Sequence, residues 1–234
     1  MESSTGSESF DEYADDYNAA LEQGLSVSGE SKDFFAAGRV AWLARCLRGE
    51  RYSVARVVDF GCGTGSATPF LLDQLQAEQL TGIDVSERSL AVARETYGDH
   101  PAVFGGSGEF PADATADLVF TNGVFHHIPP DERPAAFRDI HARLKDGGYL
   151  AFWENNPWNP GTRYVMSKIP FDRDAIMVWP RQARRLAASV GLQVVRFDFQ
   201  FIFPRVLGFL RPLEPCFSPF PLGAQYQMLC IKRG

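Results

Sequence analysis

A loop of alternating glycines between two short apolar runs limits the folds open to this chain more than any other feature. Residues 57–60 form an apolar run that contains one acid, Asp59, and the glycines Gly61, Gly63 and Gly65 follow it. A second apolar run ends at Asp84. This order predicts a strand–loop–helix–strand unit, in which glycines let the backbone close around a cofactor and the distant acid binds a ribose.

The spacing of the glycines distinguishes between two kinds of cofactor. The dinucleotide-binding fingerprint is G-x-G-x-x-G, whereas this loop reads G-x-G-x-G and has Ser66 where that fingerprint has its third glycine. Asp59, two residues before the first glycine, would repel an anionic pyrophosphate and would attract a ligand that carries an ammonium group. The loop therefore favours an amino-acid-like cofactor over a dinucleotide.

The rest of the chain alternates between helical and extended patterns, which predicts one α/β domain with a mostly parallel sheet covered on both faces. The predicted helices are Ser31–Leu47, Ser66–Leu75, Ser86–Tyr97, Asp131–Leu144 and Pro180–Val190. The predicted strands are Val54–Phe60, Leu80–Val85, Ala102–Gly105, Ala116–Thr121, Tyr149–Glu154, Gln193–Phe203 and Gln225–Lys232, with Gly147 and Gly148 as a turn before the fifth. Residues 1–9, rich in Ser and Glu, are predicted to be disordered.

Composition limits the partners and the compartment. The net charge of −6 argues against a nucleic-acid backbone as ligand, since such proteins usually carry an excess of basic residues. The sequence shows no long apolar segment and no signal peptide. Four scattered cysteines without C-x-x-C spacing indicate reduced thiols in the cytoplasm rather than a disulfide framework or a zinc site, and no metal site is predicted.

Three motifs in order resemble the class I S-adenosylmethionine-dependent methyltransferases. They are the glycine loop, the segment from Asp117 through Ile128 at the fourth strand, and the R-x-L-K-x-G-G segment 143–148 before the fifth. The resemblance spans about residues 10–232. It implies a Rossmann-like three-layer sandwich with a seven-stranded, mostly parallel sheet and one antiparallel strand, Gln225–Lys232. It also implies an N-terminal helical lid over residues 10–50 and an insertion after the fifth strand, within a single domain from residue 10 to 234.

The resemblance also implies how the cofactor would be held. The three glycines would approach its methionine part, Asp59 would face the ammonium group, and Asp84 would bind both ribose hydroxyls. Relatives often have an acid near the adenine after the third strand, where this chain has Ser107. The remaining candidates for cofactor binding are Cys62 as a small loop filler, Val85, Gly108, Asn122, Tyr17 and Arg39.

Methyl transfer needs alignment and the exclusion of water more than it needs a strong base. His126 and His127, just past the fourth strand, are the titratable pair best placed to accept a proton, and the resemblance favours His127. The alternative is that one histidine simply packs against or caps the helix that follows.

The acceptor pocket is expected outside the shared core. Candidate parts are the N-terminal aromatic residues, the polar-aromatic insertion 155–180, and the Phe-, Leu- and Pro-rich segment 204–222, which could also serve a dimer contact or a lipid surface. Candidate substrate residues are Tyr13, Asn155, Trp158, Arg163 and Tyr164. The strand-four exit lacks the [N/D]-P-P-[Y/F] element of enzymes that methylate nucleic-acid amino groups, which again disfavours nucleic acid.

Three functions remain open at this point. The first is transfer of a methyl group to an O, N or C centre of a small molecule such as a natural product, a sugar or a lipid precursor, with S-adenosylhomocysteine as the other product. The second is a non-catalytic protein that binds the cofactor as a sensor or partner subunit. The third is a nicotinamide-dependent reductase, which Ser66 and Asp59 disfavour. A homodimer is compatible with any of them.

Overall fold

The computed structural model describes residues 29–169, 172 and 175–234. In that part the helices are α1 (Lys32–Gly49), α2 (Thr68–Leu75), α3 (Glu87–Tyr97), α4 (Arg133–Arg143), α5 (Pro160–Lys168), α6 (Pro180–Ser189) and α7 (Glu214–Phe217), and a 3₁₀ helix covers Arg205–Leu213. The strands are β1 (Arg56–Phe60), β2 (Gln79–Ile83), β3 (Ala102–Gly105), β4 (Ala116–Asn122), β5 (Leu144–Asn155), β6 (Leu192–Gln200) and β7 (Gln225–Lys232). No described helix has the length and apolar character needed to cross a bilayer.

The seven strands form one sheet in the order β3-β2-β1-β4-β5-β7-β6. Strands β1 to β5 pair in parallel, and β7 runs antiparallel between β5 and β6. The predicted fold class is therefore confirmed, including Gln225–Lys232 as the antiparallel strand. Because the chain order reverses beside β1 and β4, the carboxyl ends of these strands border the crevice where such sheets bind ligands.

Successive side chains of each strand point to opposite faces of the sheet, so the interior consists of two apolar layers, one on each face. Val57, Leu118 and Trp153 point to one face of the sheet and contact α1, α2 and α3. Val58 and Val119, one residue out of phase, point to the other face and contact α4 and α6. A period of two along buried strands, with helices over both faces, gives the three-layer sandwich expected for this sequence.

Most predicted element bounds lie within two residues of the observed ones, and the main exceptions follow from tertiary contacts. Strand β5 begins at Leu144, so Gly147 and Gly148 lie inside the strand and not in a turn before it. Gly147 has a φ of +80°, and the pairing with β4 shifts register between Ala116 and Leu118. The glycines thus form an irregularity within the strand.

Helix α5 has no counterpart in the sequence-based prediction, which treated residues 155–180 as an insertion. Asn159 caps it by accepting a hydrogen bond from the backbone N–H of Thr162 at 3.0 Å, and Pro160 occupies the first turn. Both residues are favourable at a helix start. The signal is present in the sequence, but a short helix between prolines is easily mistaken for a loop.

Asparagine side chains fasten this insertion to the second predicted insertion, residues 204–222. Asn156 donates from Nδ2 to the carbonyls of Pro221 (3.1 Å) and Gly223 (2.7 Å), and Asn159 donates to Leu222 (2.9 Å). We call these contacts the asparagine clamp. Asn156 is fully buried, and its bonds satisfy its own amide N–H groups and the buried carbonyl of Gly223. The two insertions therefore form one unit at the carboxyl ends of β4 and β5.

Candidate functional site

The glycine loop follows β1 and has three positive φ angles, +75° at Gly61, +53° at Gly63 and +75° at Gly65. A Cβ at Gly61 would lie 2.2 Å from a methyl group of Val124, and one at Gly65 would lie 2.9 Å from the Tyr97 ring. A Cβ at Gly63 would meet no atom of the described residues within 4 Å. Gly61 and Gly65 are therefore required by packing, whereas Gly63 borders open space that a ligand could fill.

Asp84, directly after β2, is tied to this loop. Its carboxylate accepts hydrogen bonds from the backbone N–H groups of Gly63 (2.7 Å) and Ser86 (2.9 Å). Each carboxylate oxygen can accept more than one hydrogen bond, so both keep capacity for a ligand hydroxyl. The side chain is half-buried, and the hydrogen bonds from Gly63 and Ser86 fix its orientation. A carboxylate that binds a diol needs such a fixed orientation.

Asp59, near the end of β1, is almost completely buried, with 3% of its surface exposed. Burial, together with the nearby charge of Asp84, raises the pKa of its carboxyl group to about 7, and the charge of Arg39 opposes both effects. A positive group placed beside Asp59 would reverse part of this shift, because an opposite charge favours the ionised carboxylate. Asp59 is therefore suited to receive an ammonium group.

Four other predicted cofactor residues lie along this edge of the sheet in different environments. Burial raises the pKa of the Cys62 thiol well above its usual range, which excludes a role as a reactive nucleophile. Val85 and Gly108 are exposed. The Ser107 hydroxyl accepts from Arg143 at 2.8 Å and lies 3.5 Å from Asp139, so helix α4 already engages it.

Beside this edge lies a separate cavity of about 410 Å³ at the carboxyl ends of β4 and β5. Its walls come from α1, the exits of β4 and β5, helix α5 and the segment that follows β6. Apolar side chains dominate, namely Phe34, Phe35, Val165, Met166, Ile169, Phe201, Ile202, Phe203 and Pro204. Asn122 and Gly123 also line it, and Gly123 directly precedes the Val124 that contacts Gly61. The cavity and the glycine loop therefore meet at the end of β4.

Several charged groups on the cavity wall are engaged by protein partners. Arg211 contacts Glu30 at 2.6 Å, and Arg39 donates to Gln225 at 3.0 Å. Glu214 accepts hydrogen bonds from the backbone N–H groups of Ile202 and Phe203 at 3.2 and 2.9 Å. These contacts hold the walls of the cavity in place.

The polar end of the cavity is a cluster around the two predicted histidines, which we call the histidine cluster: His126, His127, Glu154 and Asp172. His126 Nδ1 lies 2.7 Å from Glu154 Oε2, and Glu154 Oε1 also accepts from the backbone N–H of Phe125 at 2.8 Å. The Nε2 atoms of His126 and His127 lie 3.4 and 3.3 Å from the same oxygen, Asp172 Oδ1.

The histidine cluster is electrostatically unusual because it brings together three buried ionisable groups, His126, Glu154 and Asp172, and the half-buried His127. Burial disfavours the charged form of His126, but the carboxylates of Glu154 and Asp172 outweigh it and raise the pKa to about 10. Burial lowers the pKa of His127, and the charge of His126 lowers it as well. The contact with Asp172 opposes both effects without reversing them. Asp172 is also penalised by burial, yet the two histidines bring its pKa down to about 2.

Backbone contacts bring Asp172 to the histidines although it lies far along the chain. The backbone N–H of Ile176 donates to the carbonyl of His126 at 2.8 Å. Arg133, which is completely buried, donates to the carbonyls of Ile128 and Ile176. The segment around Asp172 is thus joined to the exit of β4 through the same arginine.

The predicted acceptor residues do not share one location. Asn155 lines the cavity and accepts from Gln225 at 3.2 Å. Trp158, Arg163 and Tyr164 are exposed and are absent from the cavity wall, and Trp158 instead contacts Trp179 edge-to-face. The wall receives Thr162, Val165, Met166 and Ile169 from the opposite side of α5. Tyr13 and Tyr17, and with them residues 10–28 of the predicted lid, lie outside the described residues.

Sequence reasoning missed Glu154 and Asp172. Glu154 ends the apolar run 149–154, and an acid at the carboxyl end of a buried strand is a signal that could have been used. Asp172 carries no local signal, because its proximity to the histidines depends on how the insertion folds back.

Comparison with known proteins adds independent observations. Residues 58–150 match the family model of the methyltransferase domain. The chain is 26% identical over 138 residues to trans-aconitate 2-methyltransferase from Escherichia coli O1:K1 / APEC, a match that covers 59% of this chain and 52% of that one. The chain spans about half the length of the curated relatives it matches.

Solved structures are similar over nearly the whole chain. A S-adenosylmethionine-dependent methyltransferase from Thermotoga maritima aligns with a TM-score of 0.66 at 21% identity, over 97% of this chain and 99% of that one. Phosphoethanolamine N-methyltransferase 2 from Haemonchus contortus, solved in complex with S-adenosyl-L-methionine, aligns with a TM-score of 0.65 at 16% identity, over 98% of this chain and 60% of that one. At such identities the likeness establishes the fold.

Proposed function

We propose that this chain, a member of the class I S-adenosylmethionine-dependent methyltransferases, transfers a methyl group from that cofactor to a small molecule held in the cavity beside the glycine loop. The observation that carries the proposal is the junction of two sites at the end of β4. On one side Asp84 accepts a hydrogen bond from Gly63, which borders open space, and Asp59 is near enough to Asp84 for their charges to interact. On the other side the apolar cavity begins at Asn122 and Gly123.

The residues present fit the cofactor. The space at Gly63 admits close approach of a ligand, Asp59 offers a carboxylate for its ammonium group, and Asp84 offers acceptor positions for two ribose hydroxyls. Among the described residues the buried Oδ1 of Asn122 has no hydrogen-bond partner, which supports a ligand at this position. When bound, the cofactor supplies an electrophilic methyl group on a sulfonium.

The chain's own residues would align the acceptor and exclude water. The apolar walls of the cavity would keep water away from the reacting atoms and hold the body of the acceptor, which favours in-line displacement. We propose that His126 and His127 face the reacting end of the acceptor, because they form the polar end of the same cavity. The acceptor atom remains open among O, N and C.

The cavity favours an acceptor with an apolar body. The relatives in Escherichia coli are named for trans-aconitate, a tricarboxylate, and recognition of three carboxylates normally needs several cationic donors. The guanidinium groups of Arg39 and Arg211 on this wall already contact Gln225 and Glu30. The surrounding phenylalanines instead suit a natural product or a lipid precursor.

The proposed location is the cytoplasm. All four cysteines are described and free, and three of them are buried. Reduced thiols in this number support a reducing compartment.

Calorimetric titration with S-adenosylhomocysteine and NADH tests the donor side. We expect binding of S-adenosylhomocysteine and none of NADH, and the reverse result would contradict the proposal. A screen of small molecules with methyl-labelled S-adenosylmethionine then separates an enzyme from a non-catalytic sensor or partner subunit. Transfer of label to an apolar hydroxyl, amine or carbon acid supports the enzyme, whereas cofactor binding without transfer across a broad panel supports the sensor.

A further inference from the structure

The contacts of Asp172 with the two histidines are longer than typical charge-assisted hydrogen bonds. Charge-assisted hydrogen bonds between nitrogen and a carboxylate are typically about 2.7–2.9 Å long. His126 makes such a bond through Nδ1 to Glu154 at 2.7 Å, yet its Nε2 lies 3.4 Å from Asp172 Oδ1. His127 Nε2 lies 3.3 Å from that oxygen. The same ring thus has one short bond and one contact that is distinctly longer.

Distances of 3.3–3.4 Å fit another arrangement. Zn²⁺ binds histidine nitrogen and carboxylate oxygen at about 2.0–2.1 Å, so two ligands at tetrahedral positions are separated by about 3.3–3.4 Å. Both contacts of Asp172 Oδ1 have this length. The three potential ligand atoms, one from each of His126, His127 and Asp172, all lie within 4.8 Å of one another. The geometry points to a site for a divalent transition-metal cation, bound by His126 Nε2, His127 Nε2 and Asp172 Oδ1.

The surroundings of these three residues match those of metal ligands. A histidine that binds a metal usually donates its other ring N–H to a carboxylate, which fixes the tautomer. Glu154 accepts from His126 Nδ1 in this way and so leaves Nε2 directed at Asp172. Glu154 is itself held by the backbone N–H groups of Phe125 and His126. Of the three ligands, His126 and Asp172 are 4% and 8% exposed and the His127 side chain is 18% exposed, so most of the site is shielded from bulk water.

The donor set also indicates which cation it would bind. Two imidazole nitrogens and one carboxylate oxygen suit Zn²⁺, Co²⁺ or Fe²⁺, whereas Mg²⁺ and Ca²⁺ prefer ligand sets made of oxygen. Three protein ligands leave a position free, as in catalytic rather than structural zinc sites. All three ligands line the cavity, so that position faces the space proposed for the acceptor. An oxygen or nitrogen of the acceptor would complete the coordination there. The sequence alone predicted no metal site, because the third ligand is distant along the chain.

Cobalt titration of the full-length, chelator-treated protein tests the site without any knowledge of the acceptor. We expect one Co²⁺ per chain, with the intense visible absorption of tetrahedral Co²⁺, which added Zn²⁺ removes. His127→Ala and Asp172→Asn should each weaken binding about 100-fold, and Glu154→Gln about tenfold because it alters only the support of His126. His100→Ala is the matched control, since His100 is exposed and far from the histidine cluster in sequence; it should bind Co²⁺ like the unaltered protein.

Two measurements keep the outcome interpretable. Thermal unfolding with and without Zn²⁺ shows whether each variant folds. Zn²⁺ should raise the melting temperature of the unaltered protein and of His100→Ala by the same amount, and that of the other variants by less at the same Zn²⁺ concentration. Calorimetry with S-adenosylhomocysteine reports on the donor site separately, so failure of the metal site and failure of the proposed methyltransferase are distinguishable. No stoichiometric Co²⁺ in the unaltered protein, or equal affinity in folded His127→Ala and Asp172→Asn, would overturn the proposal and assign the cluster to hydrogen bonding alone.

Discussion

The glycine-loop edge and the acceptor cavity lie side by side in this fold but are built in different ways. The edge is made from backbone groups and two acids, Asp59 near the end of β1 and Asp84 directly after β2. Its contacts join residues that are near in sequence, such as Gly63 and Asp84. The cavity is made from side chains of five distant segments, joined by contacts such as Asn156 to Gly223. If the proposed assignment of the two sites is right, cofactor recognition is encoded locally, whereas the acceptor site depends on how two insertions meet.

The largest effect is expected at Gly61. Gly61→Ala places a Cβ 2.2 Å from Val124 at a φ of +75°, so overpacking and backbone strain together should destabilise the fold by about 3 kcal/mol. Gly63→Ala has strain but no clash, so it should cost about 1 kcal/mol while filling the ligand space. Thermal unfolding and S-adenosylhomocysteine calorimetry measure both effects. A Gly63→Ala protein that keeps full affinity would contradict the placement of the ligand beside Gly63.

The next largest effect concerns Asp84 and tests whether the edge is specific. Asp84→Ala should weaken S-adenosylhomocysteine binding about 100-fold, because it removes charge-assisted hydrogen bonds to two ribose hydroxyls. Glu95→Ala, an exposed acid on α3, is the control and should leave affinity unchanged. Equal losses in both variants would mean that net charge, and not the position of Asp84, governs binding.

The asparagine clamp tests the other half of the comparison. Asn156→Ala removes two hydrogen bonds of a buried amide, one of them to the buried carbonyl of Gly223. It should destabilise the fold by about 2 kcal/mol, a fall of roughly 4–8 °C in melting temperature for a chain of this size. Affinity for S-adenosylhomocysteine should stay the same, since the clamp lies on the cavity side. A loss of cofactor affinity in the folded variant would show that the two regions are not independent.

The smallest effect is a pH dependence at Asp59. Its carboxyl must be ionised to hold the cofactor ammonium group, and its pKa of about 7 predicts that affinity for S-adenosylhomocysteine falls about tenfold between pH 8 and pH 6. The raised pKa also means that the folded state binds this proton more tightly than the unfolded chain does. The free energy of unfolding of the ligand-free protein should therefore rise as the pH falls through 7, while the affinity for S-adenosylhomocysteine falls. Arg39 and Asp84 are the charged groups that face it.

Calorimetry and thermal unfolding across this pH range measure both trends. Asp59→Asn should bind weakly at every pH and should lose both dependences. An unchanged affinity between pH 6 and pH 8 in the unaltered protein would remove Asp59 from cofactor recognition.

The same contrast explains how much the sequence could predict. The strand segments, the glycine loop and the position of Asp84 directly after a strand follow from period-two alternation and from the spacing of the glycines, which are local properties. The antiparallel strand Gln225–Lys232 was expected from the family resemblance. The orientation of α5 was not predictable by the same means, so Arg163 and Tyr164 were chosen although the opposite side of the helix lines the cavity. Asp172 could not be found at all, because only the folded insertion brings it within 3.4 Å of His126.

The asparagine clamp also has a consequence for engineering and for divergence of such chains. Asn156 and Asn159 bind main-chain carbonyls, which every residue type provides, so the clamp does not depend on which side chains occupy positions 221 and 222. Position 223 is different, because a Cβ on Gly223 would lie 2.3 Å from the carbonyl oxygen of Gln200. Apolar residues of the second insertion can therefore change while its attachment persists. We therefore expect that the two insertions, exchanged together between relatives, transfer the acceptor preference. Exchanged singly, they should not form the contacts between the insertions.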